Sequence, residues 1–348
     1  MDTLISPRRR TLLQALAAAT LAGACGGMRE PSPAGVFHGE TMGSLYTLKI
    51  AGERSRVALE AARMAVHDAL TAVDLAMSTH RPDSELSRFN RTTDASVVLS
   101  PPLWEVFRLA QSISARTRGA FDITVAPLVD AWGFGPSRRE RIVPDAEVRA
   151  LEARVGWQKL ALDAQSRTIR KTHPGVRADL SGIAKGYGVD RAAAALDGLG
   201  IGNYMIEAGG EVRVRGHNAA GAPWQIAIEQ PDAVPQRPRV VVPLRDSAIA
   251  TSGDYRIYFE RDGERYCHEI DPATGCPIRT GIASVSVVAA ECATADALGK
   301  LIVLGIDDAY ALAVAQQLAV HFIVRGPGGH LRDVATPAFA ALGGHRYG

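Results

Sequence analysis

The 348-residue chain has few cysteines, few aromatic residues and almost no net charge. Four cysteines without a Cys-x-x-Cys pair argue against both a zinc site and a disulfide scaffold. The formal net charge is only +2, and no basic stripe with interleaved aromatic residues is present, so a nucleic-acid partner is not expected. Neither a Walker loop nor a Gly-x-Gly-x-x-Gly motif occurs. The content of 47% apolar and 22% charged residues is typical of a soluble globular protein with a substantial core.

The N-terminal segment has the composition of an export signal. Three arginines at residues 8–10 precede an apolar run at residues 11–24, which is too short to span a bilayer and indicates a signal peptide. Residues 9–13 resemble a twin-arginine signal, and residues 21–25 resemble a lipoprotein cleavage site with Cys25 as the acylated residue. We therefore expect a signal peptide at 1–25, a linker at 26–35 and one folded domain at 36–348. Simple secretion after cleavage near Ala24 is the alternative.

Three cysteines then remain in the folded domain, Cys267, Cys276 and Cys292. In an oxidising compartment Cys267 and Cys276 could bridge across a short loop. The odd number of cysteines and the lack of a Cys-x-x-Cys pair argue against a disulfide scaffold, and this single bridge is the alternative.

Apolar periodicity predicts helices and strands in uneven alternation. This order indicates an α+β fold in which a mainly antiparallel sheet is backed by helices. Helices are expected at residues 55–77, 102–118, 145–155, 183–199, 292–303 and 307–317. Strands are expected at residues 44–50, 159–162, 168–172, 204–207, 212–216, 224–229, 240–244, 248–251, 257–261, 266–270, 284–288, 321–324 and 331–334.

The segment at residues 179–190 is the most informative part of the chain. It places Asp179, small residues and Lys185 at the start of a predicted helix. Backbone N–H groups at a helix start are unpaired and favour bound anions, phosphates above all. An ordinary helix start capped by Ser181 or Asp179 is the alternative interpretation.

Eight motifs in this order resemble the ApbE family, the FAD:protein FMN transferases. The similarity extends from about Val36 to the C-terminus. The motifs are residues 41–44, 77–90, 119–128, 179–190, 207–211, 251–255, 268–275 and 295–298.

The resemblance implies a T-fold-like core with a smaller α/β portion. It also implies an enzyme that transfers FMN from FAD to a threonine hydroxyl of exported flavoproteins, with Mg²⁺ as cofactor and AMP as the leaving group. The acceptors of this family carry an Asp-Gly-x-Ser/Thr-Gly-Ala-Thr-like motif, and the lipid anchor would hold the enzyme at the periplasmic face of the membrane. The alternatives are an FAD pyrophosphatase that yields free FMN, and a periplasmic FAD-binding lipoprotein without turnover.

The resemblance also implies a metal site. Asp296 would bind magnesium together with the backbone carbonyl of Gly182, whereas the capping role of an aspartate at a helix start is the alternative. The family often has a threonine ligand four residues after that aspartate. Lys300 stands there in this chain, and an ammonium group cannot bind a cation.

His268 is the candidate general base, because an imidazole titrates near neutral pH and can accept a hydroxyl proton. Asp271, which follows it, is expected to organise a turn. The remaining family positions imply contacts with FAD, and His80 stands where the family commonly has tyrosine. The residues implied to bind FAD are Met42, His80, Ala120, Phe121, Asp122, Asp179, Lys185 and His268.

Overall fold

The computed structural model describes residues 33–93 and 96–347, and eight of its sixteen strands belong to one antiparallel sheet. The strands are β1 (Gly35–Thr41), β2 (Ser44–Ile50), β3 (Val97–Val98), β4 (Leu160–Asp163), β5 (Thr168–Lys171), β6 (Tyr204–Ala208), β7 (Glu211–Arg215), β8 (Trp224–Glu229), β9 (Pro238–Leu244), β10 (Ser247–Gly253), β11 (Tyr258–Arg261), β12 (Glu264–Cys267), β13 (Ile282–Ala289), β14 (Ala319–Arg325), β15 (Leu331–Ala335) and β16 (His345–Arg346). The α-helices are α1 (Arg56–Met77), α2 (Glu85–Arg91), α3 (Pro101–Arg116), α4 (Ala126–Ala131), α5 (Asp145–Glu152), α6 (Ala184–Gly198), α7 (Cys292–Leu298), α8 (Ile306–Ala315) and α9 (Pro337–Ala340). Short 3₁₀ helices occupy Ile123–Val125, Trp157–Lys159, Gly299–Leu304 and Pro327–Gly329.

The large sheet has eight strands in the order β1-β2-β6-β7-β10-β13-β14-β15. Every neighbouring pair in it is antiparallel. Two three-stranded sheets, β16-β9-β8 and β3-β5-β4, and the hairpin β11-β12 complete the strand structure of the described residues. The predicted α+β fold with a mainly antiparallel sheet is therefore confirmed.

The two faces of the large sheet are covered by different layers. Successive side chains of a strand point to opposite faces, and on β6 the side chains of Tyr204 and Ile206 pack with α1 and α6. Met205, between them, packs with the apolar side chains of β8 and β9. One face of the sheet is thus covered by helices and the other by a small sheet.

The sequence of helix α1 explains both its start and the face that it buries. The Ser55 hydroxyl accepts a hydrogen bond from the Ala58 N–H at 3.2 Å and caps the helix start. Buried residues then recur every three or four positions, as in an amphipathic helix: Ala62, Val66, Leu70, Val73 and Met77. This stripe packs α1 against α6, the helix that carries the candidate anion-binding segment.

The predicted elements are confirmed along most of the chain, and three differences bear on the site. The helix predicted at 292–303 ends at Leu298, and the 3₁₀ helix Gly299–Leu304 continues it. The strand predicted at 266–270 ends at Cys267, so His268 lies in the following loop. Helices α2 and α4 were not expected, because seven and six residues are too short to show a clear period.

The predicted signal peptide at 1–25, Cys25 and residues 26–32 of the predicted linker lie outside the described residues. β1 begins at Gly35, the last residue of that linker. Cys267, Cys276 and Cys292 are free thiols, so the alternative bridge between the first two is absent. In the part of the chain that the structure describes, no helix is both long and apolar enough to cross a bilayer.

One buried histidine makes the fold sensitive to acid. His321 on β14 is 3% exposed, and its Nε2 lies 3.4 Å from Asp333 Oδ1 on β15. Burial lowers the pKa of His321, against the opposing effect of Asp333 and with a further lowering by Arg239 and Arg346. Burial in the folded protein therefore favours the neutral imidazole.

We expect the melting temperature to fall between pH 7.5 and 5.5. The pKa of a histidine in the unfolded chain is about 6.5. Below that pH the unfolded chain binds more protons than the folded one, and stability decreases as pH falls. In a thermal denaturation series, His321→Gln should flatten this dependence, whereas His330→Gln, at an exposed site, should retain it. Equal slopes for both variants would contradict the prediction.

Candidate functional site

The start of α6 binds an anion, but that anion belongs to the protein. Gly186 N–H in the first turn donates to Asp296 Oδ2 at 3.1 Å. Ile183 occupies the cap position and makes no side-chain cap bond. Neither Ser181 nor Asp179 is the helix cap, because Asp179 Oδ1 accepts from Ser181 N–H at 2.8 Å within the preceding turn.

Helices α6 and α7 approach closely at Gly186. A Cβ atom built there would lie 2.5 Å from the Cys292 carbonyl oxygen and 2.8 Å from Ala293 Cα. Asp190, one turn later on α6, accepts hydrogen bonds from the N–H groups of Cys292 and Ala293, each at 2.9 Å. Helix α6 thus supplies the N-terminal cap of α7 and fixes the helix that carries Asp296.

Asp296 is a buried carboxylate, with 5% of the residue exposed. Burial raises its pKa, while the ammonium groups of Lys185 and Lys300 and the Gly186 hydrogen bond oppose the rise. An additional positive charge near this carboxylate would therefore be stabilising.

Lys185 of α6 forms an ion pair with Glu211 of β7, whose side chain is 4% exposed. Burial raises the pKa of Glu211 to about 7, although the Lys185 charge lowers it. Burial lowers the pKa of Lys185, but Glu211 and Asp296 outweigh that effect and raise it overall. Glu211 Oε2 accepts no hydrogen bond from the residues the structure describes.

A second lysine lies beside Gly182. The Cε of Lys300 is 2.8 Å from the position that a Cβ of Gly182 would occupy, and a ring carbon of Phe121 is 3.6 Å from it. The Lys300 ammonium donates to both carboxylate oxygens of Glu269, at 2.7 and 2.6 Å. Lys300 is therefore ion-paired and is not a metal ligand.

His268 lies next to this ion pair. Its Nε2 is 3.6 Å from Glu269 Oε1, and its Nδ1 is 3.2 Å from the Ile257 carbonyl oxygen. Burial and the Lys300 charge lower the pKa of His268, while Glu269 raises it. A neutral imidazole that donates from Nδ1 to Ile257 keeps its lone pair on Nε2, and 30% of the side chain is exposed.

Asp271 forms the turn after His268, as predicted. Its carboxylate accepts hydrogen bonds from Ala273 N–H at 2.9 Å and from the Thr274 hydroxyl at 3.0 Å.

Several residues implied to bind FAD are part of the core. Ala120 and Phe121 are 6% and 4% exposed. Asp122 Oδ1 accepts from the Thr124 N–H and hydroxyl, and its Oδ2 accepts from Trp157 N–H. Both oxygens of Asp122 are thus engaged within the protein. Met42, which adopts a positive φ of 46°, packs its side chain against the core.

Asp179, three residues before Gly182 in the sequence, lines a cavity of about 170 Å³. Thr79, Asn90 and Arg177 contribute to the same wall. His80, which follows Thr79, is exposed, and its N–H donates to the Ser78 hydroxyl at 3.2 Å. The structure therefore brings Phe121, Gly182, Lys185, His268, Asp296 and Lys300 into one cluster. It places Asp179 in the wall of a cavity and leaves His80 on the surface.

The cluster fits a magnesium ion only in part. Mg²⁺ is commonly held by one or two carboxylates together with substrate phosphates and water. Within residues 33–93 and 96–347, no group of three or more His, Cys, Asp or Glu side chains could hold a metal ion. Three carboxyl groups nevertheless lie together with only two ammonium groups in and beside this cluster: Glu211, Glu269 and Asp296 with Lys185 and Lys300. These residues fit an ion that Asp296 shares with ligand phosphates, and they do not fit a cage made by the protein alone.

Sequence reasoning gave no role to Glu211, Glu269, Gly186 or Asp190. Each lies within one of the eight motifs that resemble the family. The residue type alone does not show whether the residue is buried or which partner it contacts. Glu211 and Glu269 acquire their roles from lysines 26 and 31 residues away in the chain.

A model of the ApbE family matches residues 42–323, a span that contains the whole cluster. The chain belongs to the ApbE family.

Relatives of this ApbE-family chain are named FAD:protein FMN transferase. The protein from Haemophilus influenzae is 43% identical over 312 residues, which cover 87% of this chain and 90% of the relative. The protein from Vibrio cholerae is 41% identical over 333 residues, which cover 95% of this chain and 98% of the relative. Solved structures agree in fold. The flavin transferase ApbE from Vibrio cholerae matches with a TM-score of 0.81 at 41% identity, and covers 88% of this chain and 98% of its own. The ApbE protein from Thermotoga maritima matches with a TM-score of 0.80 at 27% identity, over the same shares of the two chains.

Proposed function

We propose that this ApbE-family protein transfers FMN from FAD to a threonine hydroxyl of acceptor flavoproteins and releases AMP. The observation that carries the proposal is the convergence of Asp296, Lys185, Gly182 and His268, in a chain whose relatives bear the name FAD:protein FMN transferase.

The reaction is a phosphoryl-type displacement. The acceptor hydroxyl oxygen attacks the phosphorus of the FMN half of FAD, and a new phosphoester bond forms. The bond from that phosphorus to the bridging oxygen breaks, and the electron pair leaves with AMP. Positioning and charge stabilisation provide most of the catalysis in such reactions.

His268 would take the hydroxyl proton on Nε2. Its Nδ1 faces the Ile257 carbonyl, so the neutral tautomer presents the Nε2 lone pair. After proton transfer, the imidazolium charge lies 3.6 Å from Glu269 Oε1, which stabilises it. General base catalysis of this kind contributes about 10²–10⁴-fold in rate.

Magnesium would be held by Asp296, by the Gly182 carbonyl and by the FAD phosphates. When bound, such an ion supplies positive charge to the phosphate oxygens. Lys185, paired with Glu211, would contribute a further hydrogen-bond donor to the same phosphates. Asp179 would contact FAD from the cavity wall.

The proposed location rests on the sequence of the N-terminal segment. We propose that residues 1–25 are a signal peptide and that acylated Cys25 holds the enzyme at the periplasmic face of the inner membrane, where exported acceptors with an Asp-Gly-x-Ser/Thr-Gly-Ala-Thr-like motif are available. The arginine-led apolar run at residues 8–24 supports this proposal. Soluble secretion to the periplasm is the alternative.

The activity is tested by incubating the purified protein with FAD, Mg²⁺ and an acceptor domain that carries no flavin. We expect flavin fluorescence on the acceptor after denaturing electrophoresis and one AMP per labelled acceptor. An acceptor with valine in place of the target threonine is the matched control and should stay unlabelled. Free FMN without acceptor would indicate a pyrophosphatase instead. FAD binding without AMP release would indicate a non-catalytic flavin-binding protein.

A further inference from the structure

The ion pair between Lys300 and Glu269 is unusual in its burial. Glu269 is 3% exposed, and both of its oxygens accept from the Lys300 ammonium. Desolvation of two charges offsets most of the stability that a buried pair supplies. Stability alone is therefore a weak reason for this pair, and its position in the site points to the ligand.

The Lys300 side chain lies along the surface on which the FAD phosphates are proposed to bind. Its Cε lies against Gly182, whose carbonyl is a proposed magnesium ligand. Asp296 precedes Lys300 by four residues, and the Lys300 charge is close enough to lower the pKa of Asp296. Lys300 therefore places a fixed cation beside the proposed metal ligands.

The ammonium group of Lys300 can donate one further hydrogen bond. An ammonium group has three N–H donors, and two of them are used by the Glu269 oxygens. The side chain is 21% exposed, so the protein does not enclose it fully. Glu269 holds the nitrogen in place, and a phosphate oxygen completes its hydrogen bonds.

We propose that Lys300 binds the diphosphate of FAD directly and that Glu269 is its positioning residue. This proposal rests on the proposed function, because it places FAD in the site. Its consequence is that FAD binds without a divalent cation and that magnesium is needed mainly for turnover. A charge-assisted hydrogen bond of this kind corresponds to about 10–100-fold in affinity.

The test is FAD affinity, measured by fluorescence titration of the full folded chain in EDTA and again in excess Mg²⁺. We expect the wild-type protein to bind FAD in EDTA. Lys300→Met should weaken this binding by about 10–100-fold, and Lys300→Arg should restore most of it.

Two further variants separate a ligand contact from a structural role. Lys300→Met leaves a buried carboxylate unpaired and could unfold the protein, so the double variant Lys300→Met with Glu269→Gln removes both charges. We expect the double variant to fold and still to bind FAD weakly in EDTA. Lys49→Met, at a half-buried lysine on β2, is the matched control and should bind as the wild type does.

The proposal is wrong if the double variant binds FAD in EDTA as tightly as the wild-type protein, because the pair would then be structural. Riboflavin, which has no phosphate, should bind all variants equally, and an equal loss of riboflavin affinity would also overturn the proposal. AMP release by the wild-type protein with acceptor and Mg²⁺ is scored separately. If no AMP is released but FAD binding still depends on Lys300, the proposed transferase activity is rejected and the role of Lys300 in FAD binding is not.

Discussion

Replacement of Asp296 by asparagine should lower magnesium-dependent AMP release by about 100-fold or more. The amide oxygen can still accept the Gly186 N–H, so the contact between α6 and α7 survives. The negative charge is lost, and with it the proposed protein carboxylate for the cation. Asp296→Ala should be equally inactive. Steady-state rates at several Mg²⁺ concentrations measure the effect.

The matched control is Asp308→Asn on α8, at an exposed position in the first turn of that helix. It should keep the wild-type rate and the wild-type requirement for Mg²⁺. Full activity of Asp296→Asn at low Mg²⁺ would remove this residue from the metal site. A loss of activity accompanied by a large fall in melting temperature would show a structural role instead.

Replacement of Gly186 by alanine should reduce both stability and turnover. The new Cβ would lie 2.5 Å from the Cys292 carbonyl oxygen and 2.7 Å from its carbonyl carbon, which are backbone atoms that cannot rotate away. Overpacking of this kind costs about 1–3 kcal/mol, whereas the better helix propensity of alanine returns only about 0.5–1 kcal/mol. The balance favours separation of α7 from α6 and displacement of Asp296.

Gly198→Ala, at the last residue of the same helix, is the control. A Cβ there meets nothing within 4 Å, so this variant should be as stable as the wild type or slightly more so. Chemical denaturation gives the difference in the free energy of unfolding, and AMP release gives the turnover. Equal stability and equal rates for the two alanine variants would show that the approach of the helices has no role in positioning Asp296.

The sequence predicts the parts of this fold that depend on local periodicity. The spacing of Ala62, Val66 and Leu70 defines α1 before any contact is known. Short elements such as α2 span too few residues to show a period, so their existence depends on tertiary packing. Residue type alone likewise cannot reveal that Asp122 turns inward to Thr124 rather than toward a ligand.

The candidate site was predictable as a set of residues but not as an arrangement. The resemblance pointed to Asp296, Gly182 and Lys185, and the structure brings these residues together. The resemblance could not predict the ion pair between Lys300 and Glu269, because that contact joins a 3₁₀ helix to a loop 31 residues away in the chain. The role of Gly186 cannot be predicted from the sequence either, because it depends on the backbone of α7 that packs against this residue.

Helix α7 has no N-terminal cap from a residue of its own segment. It spans seven residues, and Glu291 at its start makes no cap bond, so both of its first N–H donors are satisfied from Asp190. An isolated helix of this length is unstable in water. The helical order of this segment therefore depends on α6, and the position of Asp296 depends on how α6 packs.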